Sequence, residues 1–212
     1  MATRKYRRKY YDFFSLFYDA FIALHSRDQS GELRKFLVQQ AKLKPGDIAL
    51  DICTGTGSVL PNLQEHVGSE GLVVGLDFSH GMLRAARGRW EHKFPQISFI
   101  EADVAHLPFG DNSFEGVTCS HAFYELKGDT QDSALREIGR ILKKAKSFLM
   151  MEHDVPDNPL IKFLFYLRIF FMGSGKAMEI LGREQIVFQK YFAQVQRIRT
   201  PGGGSKIFIC RK

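Results

Sequence analysis

The residues best suited to chemistry lie in short groups that each follow an apolar segment. The first group is a glycine-rich turn, Asp51-Ile-Cys53-Thr-Gly55-Thr56-Gly57. Glycine lets a ligand approach the backbone without a Cβ in the way, and the helix N-terminus after such a turn favours anionic groups. Position 60 is Leu where a dinucleotide pattern needs a third glycine, and the turn has no P-loop lysine. The turn therefore predicts a nucleotide-type cofactor site and disfavours a nicotinamide dinucleotide.

Three further groups follow the next three apolar segments. Asp77 comes 20 residues after Gly57, where a carboxylate can accept hydrogen bonds from two ribose hydroxyls. Asp103 can accept a hydrogen bond from an adenine amine, and the amide of the next residue, Val104, can face a ring nitrogen. Ser120 ends the fourth segment. All four groups lie at the carboxyl ends of predicted strands, which is where open α/β sheets bind ligands.

The elements that must position these groups alternate between strand and helix patterns. Strands are predicted at 47–52, 72–76, 97–101, 116–120 and 146–152, with helices at 59–67, 80–92 and 132–142. Strands separated by helices pair in parallel through right-handed crossovers. Two more strands, at 195–200 and 206–211, flank Pro201-Gly-Gly-Gly204 and predict a hairpin. We expect an α/β, Rossmann-like, seven-stranded, mostly parallel sheet with an antiparallel last strand and helices on both faces.

The 212 residues suffice for a single domain with its own core. Residues 45–152 are the expected cofactor-binding core, and residues 193–212 are the expected C-terminal hairpin. Helices predicted at 10–24 and 30–42 place an N-terminal helical lid in residues 1–44. The segment 153–192 interrupts the alternation and is expected to be a second helical lid.

These motifs, in this order, resemble those of class I S-adenosylmethionine-dependent methyltransferases, in the ubiquinone/menaquinone-methylase-like (methyltransferase type 11) branch. The resemblance covers about residues 45–152. Its five elements are Ala49 to Gly57, Gly75 to Leu83, Glu101 to Phe109, Phe114 to Ser120 and Ala134 to Leu142. The sequence departs from the family pattern at two places: Cys53 replaces the first glycine, and Lys143-Lys-Ala-Lys146 replaces a Pro-Gly-Gly turn.

The resemblance implies S-adenosyl-L-methionine as the cofactor and a role for each motif. The turn from Cys53 to Gly57 would cradle the methionine part, Asp77 would hold the ribose, and Ser120 would approach the methionine end. The adenine would lie beside Phe78 and Met82, with Asp103 and Val104 at its edge. The full predicted cofactor set is Asp51, Cys53, Gly55, Thr56, Gly57, Asp77, Phe78, Met82, Asp103, Val104 and Ser120.

The acceptor is predicted to be a small molecule that is apolar or lipid-like, because ten of the 19 phenylalanines lie in 10–24 and 160–192. Aromatic rings suit an apolar pocket, for which Tyr11, Phe14, Tyr18 and Phe165 are the candidates. The alternative is that these rings only pack the two segments onto the sheet. Transfer to oxygen or carbon requires a base. His121 and Tyr124 are the catalytic candidates, although His121 can also be a purely structural hydrogen-bonding residue.

Charge and cysteine usage limit the environment and the partners. The net charge is +7, and the first nine residues carry five basic side chains and no acidic one. Such a tail is either a solvated end or a patch for an anionic membrane or nucleic acid. The three cysteines are too scattered for a disulfide framework or a metal site and favour a reducing, cytoplasmic location. The apolar run from Leu160 to Met172 is too short to span a bilayer but can lie on its surface.

Two other functions remain open. An RNA or protein methyltransferase would fit the positive charge, but no Asn-Pro-Pro-Tyr-type run follows the fourth strand, so a nucleic-acid partner is disfavoured. A cofactor-binding protein without catalytic activity would share the same motifs.

Overall fold

The computed structural model describes residues 31–126, 129–155, 159–160, 162–163 and 182–212. Seven strands form one sheet in the order β3-β2-β1-β4-β5-β7-β6. The strands are β1 (Ile48–Ile52), β2 (Leu72–Asp77), β3 (Ile97–Glu101), β4 (Phe114–Ser120), β5 (Leu142–His153), β6 (Gln194–Arg199) and β7 (Ser205–Arg211). β7 pairs antiparallel with both β5 and β6, and the other neighbours are parallel. The predicted fold class is confirmed.

Helices cover both faces of this sheet, as expected. They are α1 (Glu32–Gln40), α2 (Leu60–Val67), α3 (His80–Trp90), α4 (Thr130–Ile141), α5 (Glu184–Phe188) and a 3₁₀ turn at Phe123–Glu125. Successive strand residues point to opposite faces, so the strands contribute to two separate cores. Leu37 and Leu63 lie in one core, while Leu135 and Phe188 lie in the other. The sheet is thereby fixed between two layers.

The order in which successive strands are added to the sheet reverses at β1. β2 and β3 lie on one side of β1, whereas β4, β5, β7 and β6 lie on the other. Asp51 is in register with Gly75 of β2 and with Thr118 of β4. Ligands bind in the crevice at such a switch point, outside the carboxyl ends of the strands. The predicted cofactor motifs therefore converge at the carboxyl edge of the sheet, around the switch point at β1.

The start of β5 corrects a predicted boundary. The sequence placed Leu142 in a helix and began the strand at 146, but α4 ends at Ile141 and β5 begins at the next residue. Ala145 adopts a left-handed φ of 59°, and the pairing of β4 with β5 shifts between Phe114 and Gly116. A bend therefore replaces the family's Pro-Gly-Gly turn, and the strand continues through it. Residue-type patterns do not reveal such a bulge, because it depends on the partner strand.

Several expectations fall outside the described residues. They are the helix at 10–24, the basic N-terminal tail, the pocket candidates Tyr11, Phe14, Tyr18 and Phe165, and most of the segment 153–192. Within the described part of that segment, α5 is helical as expected. No helix in the described ranges is both long and apolar enough to cross a membrane.

Candidate functional site

The glycine-rich turn after β1 is built from left-handed backbone positions. Cys53, Gly55 and Gly57 have φ angles of 53°, 56° and 74°. The turn is closed by two backbone hydrogen bonds, from Thr54 N to Leu76 O (3.0 Å) and from Gly57 N to Thr54 O (2.9 Å). A side chain in this region carries a conformational cost of about 1–2 kcal/mol. Cys53 therefore keeps the backbone shape that the family obtains with glycine.

Asp51 fixes this turn to the neighbouring strand. Its Oδ2 accepts a hydrogen bond from the Thr54 hydroxyl and its Oδ1 accepts one from the Thr118 hydroxyl, each at 2.6 Å. The carboxyl group is only 1% exposed. Burial raises its pKa to about 6, against the lowering effect of the two hydroxyls. Asp51 therefore connects the turn to β4 through the hydroxyls of Thr54 and Thr118.

The two glycines of the turn serve different purposes. A Cβ on Gly57 would lie 3.0 Å from both Leu60 Cδ1 and Trp90 Cδ1, so the protein's own packing requires glycine there. Trp90 also donates a hydrogen bond from Nε1 to the carbonyl of Thr56 (3.1 Å). At Gly55 no atom of the residues that the structure describes lies within 4 Å of the Cβ position. The open approach that the sequence analysis expected for a ligand thus exists at Gly55.

Asp77 is held rigidly beside the turn at the end of β2. Its Oδ2 accepts from the Gly55 amide and its Oδ1 accepts from the Ser79 amide, both at 2.9 Å. The Ser79 side chain accepts in turn from Met82 N (3.2 Å) and caps α3. A carboxylate oxygen can accept more than one hydrogen bond. Asp77 and the turn therefore lie side by side, as expected if they hold the ribose and the methionine part of one cofactor molecule.

Asp103 and Val104 follow β3 on the same edge of the sheet. Asp103 Oδ1 accepts a hydrogen bond from Ala105 N (2.9 Å), and Val104 is only 4% exposed. Phe78 is half-buried and Met82 is buried on α3. Asp103 and Val104 therefore lie on the same edge of the sheet as Asp77, where the sequence analysis expected the adenine ring.

An ion pair that the sequence analysis missed holds the loop after β3. Arg140 of α4 donates to the carbonyls of Leu107 (3.1 Å) and Phe109 (2.7 Å). Glu137 accepts from the Leu107 amide (2.8 Å) and from Arg140. The hydrogen bond from Arg140 lowers the pKa of Glu137. The two residues were recognised only as part of a helix pattern, because their loop partners are about 30 positions away.

His121 lies directly after Ser120, where β4 ends. Its φ is 52°, and its amide donates to Met151 O at 2.8 Å. Its ring packs on that of His153, with centroids 4.4 Å apart. Nδ1 is buried, and within the described part of the chain it has no hydrogen-bond partner. Burial, followed by the nearby His153 and Arg34, lowers the pKa of His121 to about 3, so the ring is neutral at physiological pH.

Glu152 faces His121 from the end of β5. Its Oε2 lies 4.0 Å from His121 Nδ1, and its Oε1 accepts from Tyr124 N at 3.2 Å. The residue is 4% exposed, and burial raises its pKa to about 8. The sequence analysis did not select Glu152. Its position at the carboxyl end of a predicted parallel strand was the available signal.

Tyr124 makes a different set of contacts. Its hydroxyl donates to Glu184 Oε1 at 2.5 Å, and Glu184 forms a buried ion pair with Lys206 of β7. Burial, together with Glu184, raises the pKa of the Tyr124 phenol. Although burial opposes it, the hydrogen bonds from Lys206 and Tyr124 lower the pKa of Glu184. Tyr124 is therefore a hydrogen-bond donor in a buried network.

The two cysteines near the turn contact each other. The hydrogen bond with Cys53, followed by burial, raises the pKa of the fully buried Cys119 thiol. Both side chains pack in the core on one face of the sheet. Across the described ranges, no three His, Cys, Asp or Glu side chains are grouped so that they could hold a metal ion.

Comparison with known proteins places this geometry in a family. Residues 49–145 match a model described as a methyltransferase domain. The demethylmenaquinone methyltransferase of Shouchella clausii is 32% identical over 181 residues, covering 83% of this chain and 76% of that protein. The 2-phytyl-1,4-naphtoquinone methyltransferase of Nostoc punctiforme is 34% identical over 131 residues, covering 61% of this chain. This chain spans 56% of the length of the Nostoc protein.

A solved structure agrees on the fold. The S-adenosylmethionine-dependent methyltransferase of Aquifex aeolicus superposes with a TM-score of 0.65. It is 16% identical, and the match covers 91% of this chain and 96% of that one. The motifs, their convergence at the switch point and the identity to the Shouchella protein agree with one another. This chain therefore belongs to the class I S-adenosylmethionine-dependent methyltransferases, in the branch of the ubiquinone and menaquinone methylases.

Proposed function

We propose that this protein transfers a methyl group from S-adenosylmethionine to a quinone-like acceptor. The observation that carries the proposal is the 32% identity with a demethylmenaquinone methyltransferase over 181 residues. That alignment is longer than the cofactor-binding core at 45–152, so the similarity extends into the segments expected to shape the acceptor site. A quinone with a hydrocarbon tail also agrees with the small, apolar or lipid-like acceptor inferred from the aromatic residues.

The cofactor roles are proposed for the residues that converge at the switch point. When bound, S-adenosylmethionine supplies an electrophilic methyl group on a sulfonium centre. In the proposed arrangement, Asp77 holds the ribose and the open face of Gly55 receives the methionine part. Asp103 and Val104 contact the adenine edge, and Ser120 approaches the methionine end. In-line placement of the two reactants provides much of the acceleration in such a transfer.

The acceptor side of the proposal needs a proton acceptor. A quinone ring carbon is electron-poor, so the attacking form is the reduced quinol, and removal of its hydroxyl proton raises the electron density of the ring. Of the two catalytic candidates, Tyr124 already donates its hydroxyl hydrogen to Glu184. His121 is neutral and lies next to Ser120. We therefore assign the role of base to His121.

The acceptor assay uses reduced demethylated naphthoquinols with short prenyl tails. The protein is mixed with isotope-labelled S-adenosylmethionine, and the products are identified by mass spectrometry. We expect label on the quinol ring with the intact chain. Benzoquinols, phospholipids, small amines and RNA are assayed in parallel. Cofactor binding without label on any acceptor would instead favour the non-catalytic alternative, and label on RNA alone would favour the nucleic-acid alternative.

We also propose peripheral contact with anionic membranes, because a prenylated acceptor resides in lipid. Two observations support it: the basic residues at 4–9, and the exposed apolar side chains of Leu160 (69%) and Phe163 (63%). Each basic residue near an anionic surface contributes about 1 kcal/mol. Deleting residues 1–9 should weaken binding to phosphatidylserine vesicles at low salt and leave cofactor affinity unchanged. Equal vesicle binding by both forms would contradict the proposal.

A further inference from the structure

Three titratable side chains meet at the carboxyl ends of β4 and β5, next to the proposed cofactor site. They are His121, Glu152 and His153. The His121 ring stacks on the His153 ring, and its Nδ1 lies 4.0 Å from Glu152 Oε2. Tyr124 N donates to the other carboxyl oxygen of Glu152 at 3.2 Å. The Glu152 side chain is therefore held with one oxygen facing the His121 ring.

The buried Nδ1 of His121 is the unusual feature of this cluster. It has no hydrogen-bond partner among the described residues, although an unpaired polar atom is unfavourable when buried. Its side chain as a whole is 22% exposed, so other atoms of the residue reach the surface. Glu152 Oε2 lies 4.0 Å from Nδ1, about 1 Å beyond hydrogen-bond distance. Catalytic hydrogen bonds are often long before a ligand binds.

We infer that Glu152 is a positioning residue for His121, and that it directs the Nε2 atom of His121 toward the acceptor as its proton acceptor. This inference rests on the proposed function. In the step, the acceptor O–H bond breaks, an N–H bond forms at Nε2, and the electron pair stays on the acceptor oxygen. The carboxylate of Glu152 accepts a hydrogen bond from Nδ1–H and stabilises the resulting imidazolium. No oxidant or reductant is needed.

The surrounding charges explain why His121 needs this partner. Burial, followed by His153 and Arg34, disfavours the protonated ring and lowers the pKa of His121 to about 3, so His121 is a weak base. A carboxylate opposite Nδ1 offsets part of that effect. Glu152 itself has Glu125 of the 3₁₀ turn, Lys206 of β7 and the Tyr124 amide nearby. Its pKa of about 8 means that the carboxylate form grows as the pH rises through 8.

The first test reads the tautomer of His121 directly and needs no acceptor. Below pH 8 the Glu152 carboxyl is neutral and attracts the ring proton only weakly; above pH 8 the carboxylate, 4.0 Å from Nδ1, favours the tautomer with the proton on Nδ1. Nitrogen NMR of the full chain, labelled at histidine, should therefore show the His121 tautomer change near pH 8. Glu152→Gln should abolish the change, and Glu115→Gln should not. A His121 tautomer that is constant through this range in the unmodified protein would overturn the inference.

The second test measures turnover with the quinol acceptor. Glu152→Gln should lower kcat about 100-fold, the scale of a lost acid–base contribution, with little change in KM, and should flatten the rise of kcat with pH. Glu152→Asp should restore part of the pH dependence. The control, Glu115→Gln, removes a carboxylate at the opposite end of β4. Unchanged kcat in Glu152→Gln would overturn the inference, whereas a tautomer change near pH 8 without quinol turnover would contradict only the proposed function.

Discussion

The buried carboxyl group of Asp51 should make the stability of this protein fall as the pH rises from about 4 to about 6. The folded pKa is about 6, whereas the ordinary value is 3.8. Between these values the folded state binds a proton that the unfolded state has lost, so stability decreases with rising pH. The difference of about two pKa units corresponds to roughly 3 kcal/mol. Asp51→Asn cannot ionise, and it should remove this component.

The measurement is denaturant unfolding across that pH range, followed by the fluorescence of Trp90. This residue is the only tryptophan and contacts the turn that Asp51 supports. Other carboxyl groups titrate in both proteins and cancel in the difference between the unmodified protein and Asp51→Asn. Between pH 4 and pH 7, the free energy of unfolding of Asp51→Asn should rise by roughly 3 kcal/mol relative to that of the unmodified protein.

A second variant tests the cause of the shift. Thr118→Val removes one hydroxyl that lowers the Asp51 pKa, so the fall in stability should extend to higher pH. If the difference between Asp51→Asn and the unmodified protein stays flat with pH, Asp51 keeps an ordinary pKa in the fold. The reasoning from burial would then be wrong.

Three further predictions concern binding and packing. Asp77→Ala should weaken S-adenosylmethionine binding by about 1–3 kcal/mol in calorimetry, because the ribose loses a charged acceptor; unchanged affinity would remove Asp77 from the site. Gly75→Ala should lower the free energy of unfolding by about 1–3 kcal/mol, because its Cβ would lie 2.8 Å from a methyl group of Leu60. Gly139→Ala on α4, where no described atom lies within 4 Å of the Cβ position, should raise it by about 0.5–1 kcal/mol. Equal effects of the two variants on the melting temperature would contradict this prediction. Lys206→Met should cost about 3–5 kcal/mol of stability by leaving the buried Glu184 carboxylate without its counter-ion, and the double variant with Glu184→Gln should recover part of it; additive losses would show that the pair is not coupled.

Much of the cofactor site was accessible from the sequence because its parts are local. A strand that ends at Ile52, turns through Gly55 and Gly57 and enters a helix is contained in about 20 consecutive residues. The same holds for Asp77 with its helix cap at Ser79. Parallel pairing then brings these strand ends to one edge, so their proximity follows from strand order alone.

The acceptor side was less accessible because its contacts join distant positions. Tyr124 was predicted as a catalytic residue from its place after β4, but its hydroxyl is bound to Glu184, 60 positions away. Glu152 was overlooked, since a glutamate at the end of an apolar strand has no distinctive spacing. Its proposed role depends on His121, which directly follows the neighbouring strand β4.

The sequence by itself determined the family, the order of the strands and helices, and the edge of the sheet where a cofactor would bind. These properties are set by hydrophobic period, glycine position and motif order, all of which act over short stretches of chain. Only the tertiary structure decided which side chains have partners. The left-handed backbone at His121, the burial of its Nδ1 and the facing oxygen of Glu152 arise when β4 and β5 pack side by side. Burial and proximity across strands set protonation states, and neither is encoded in residue spacing.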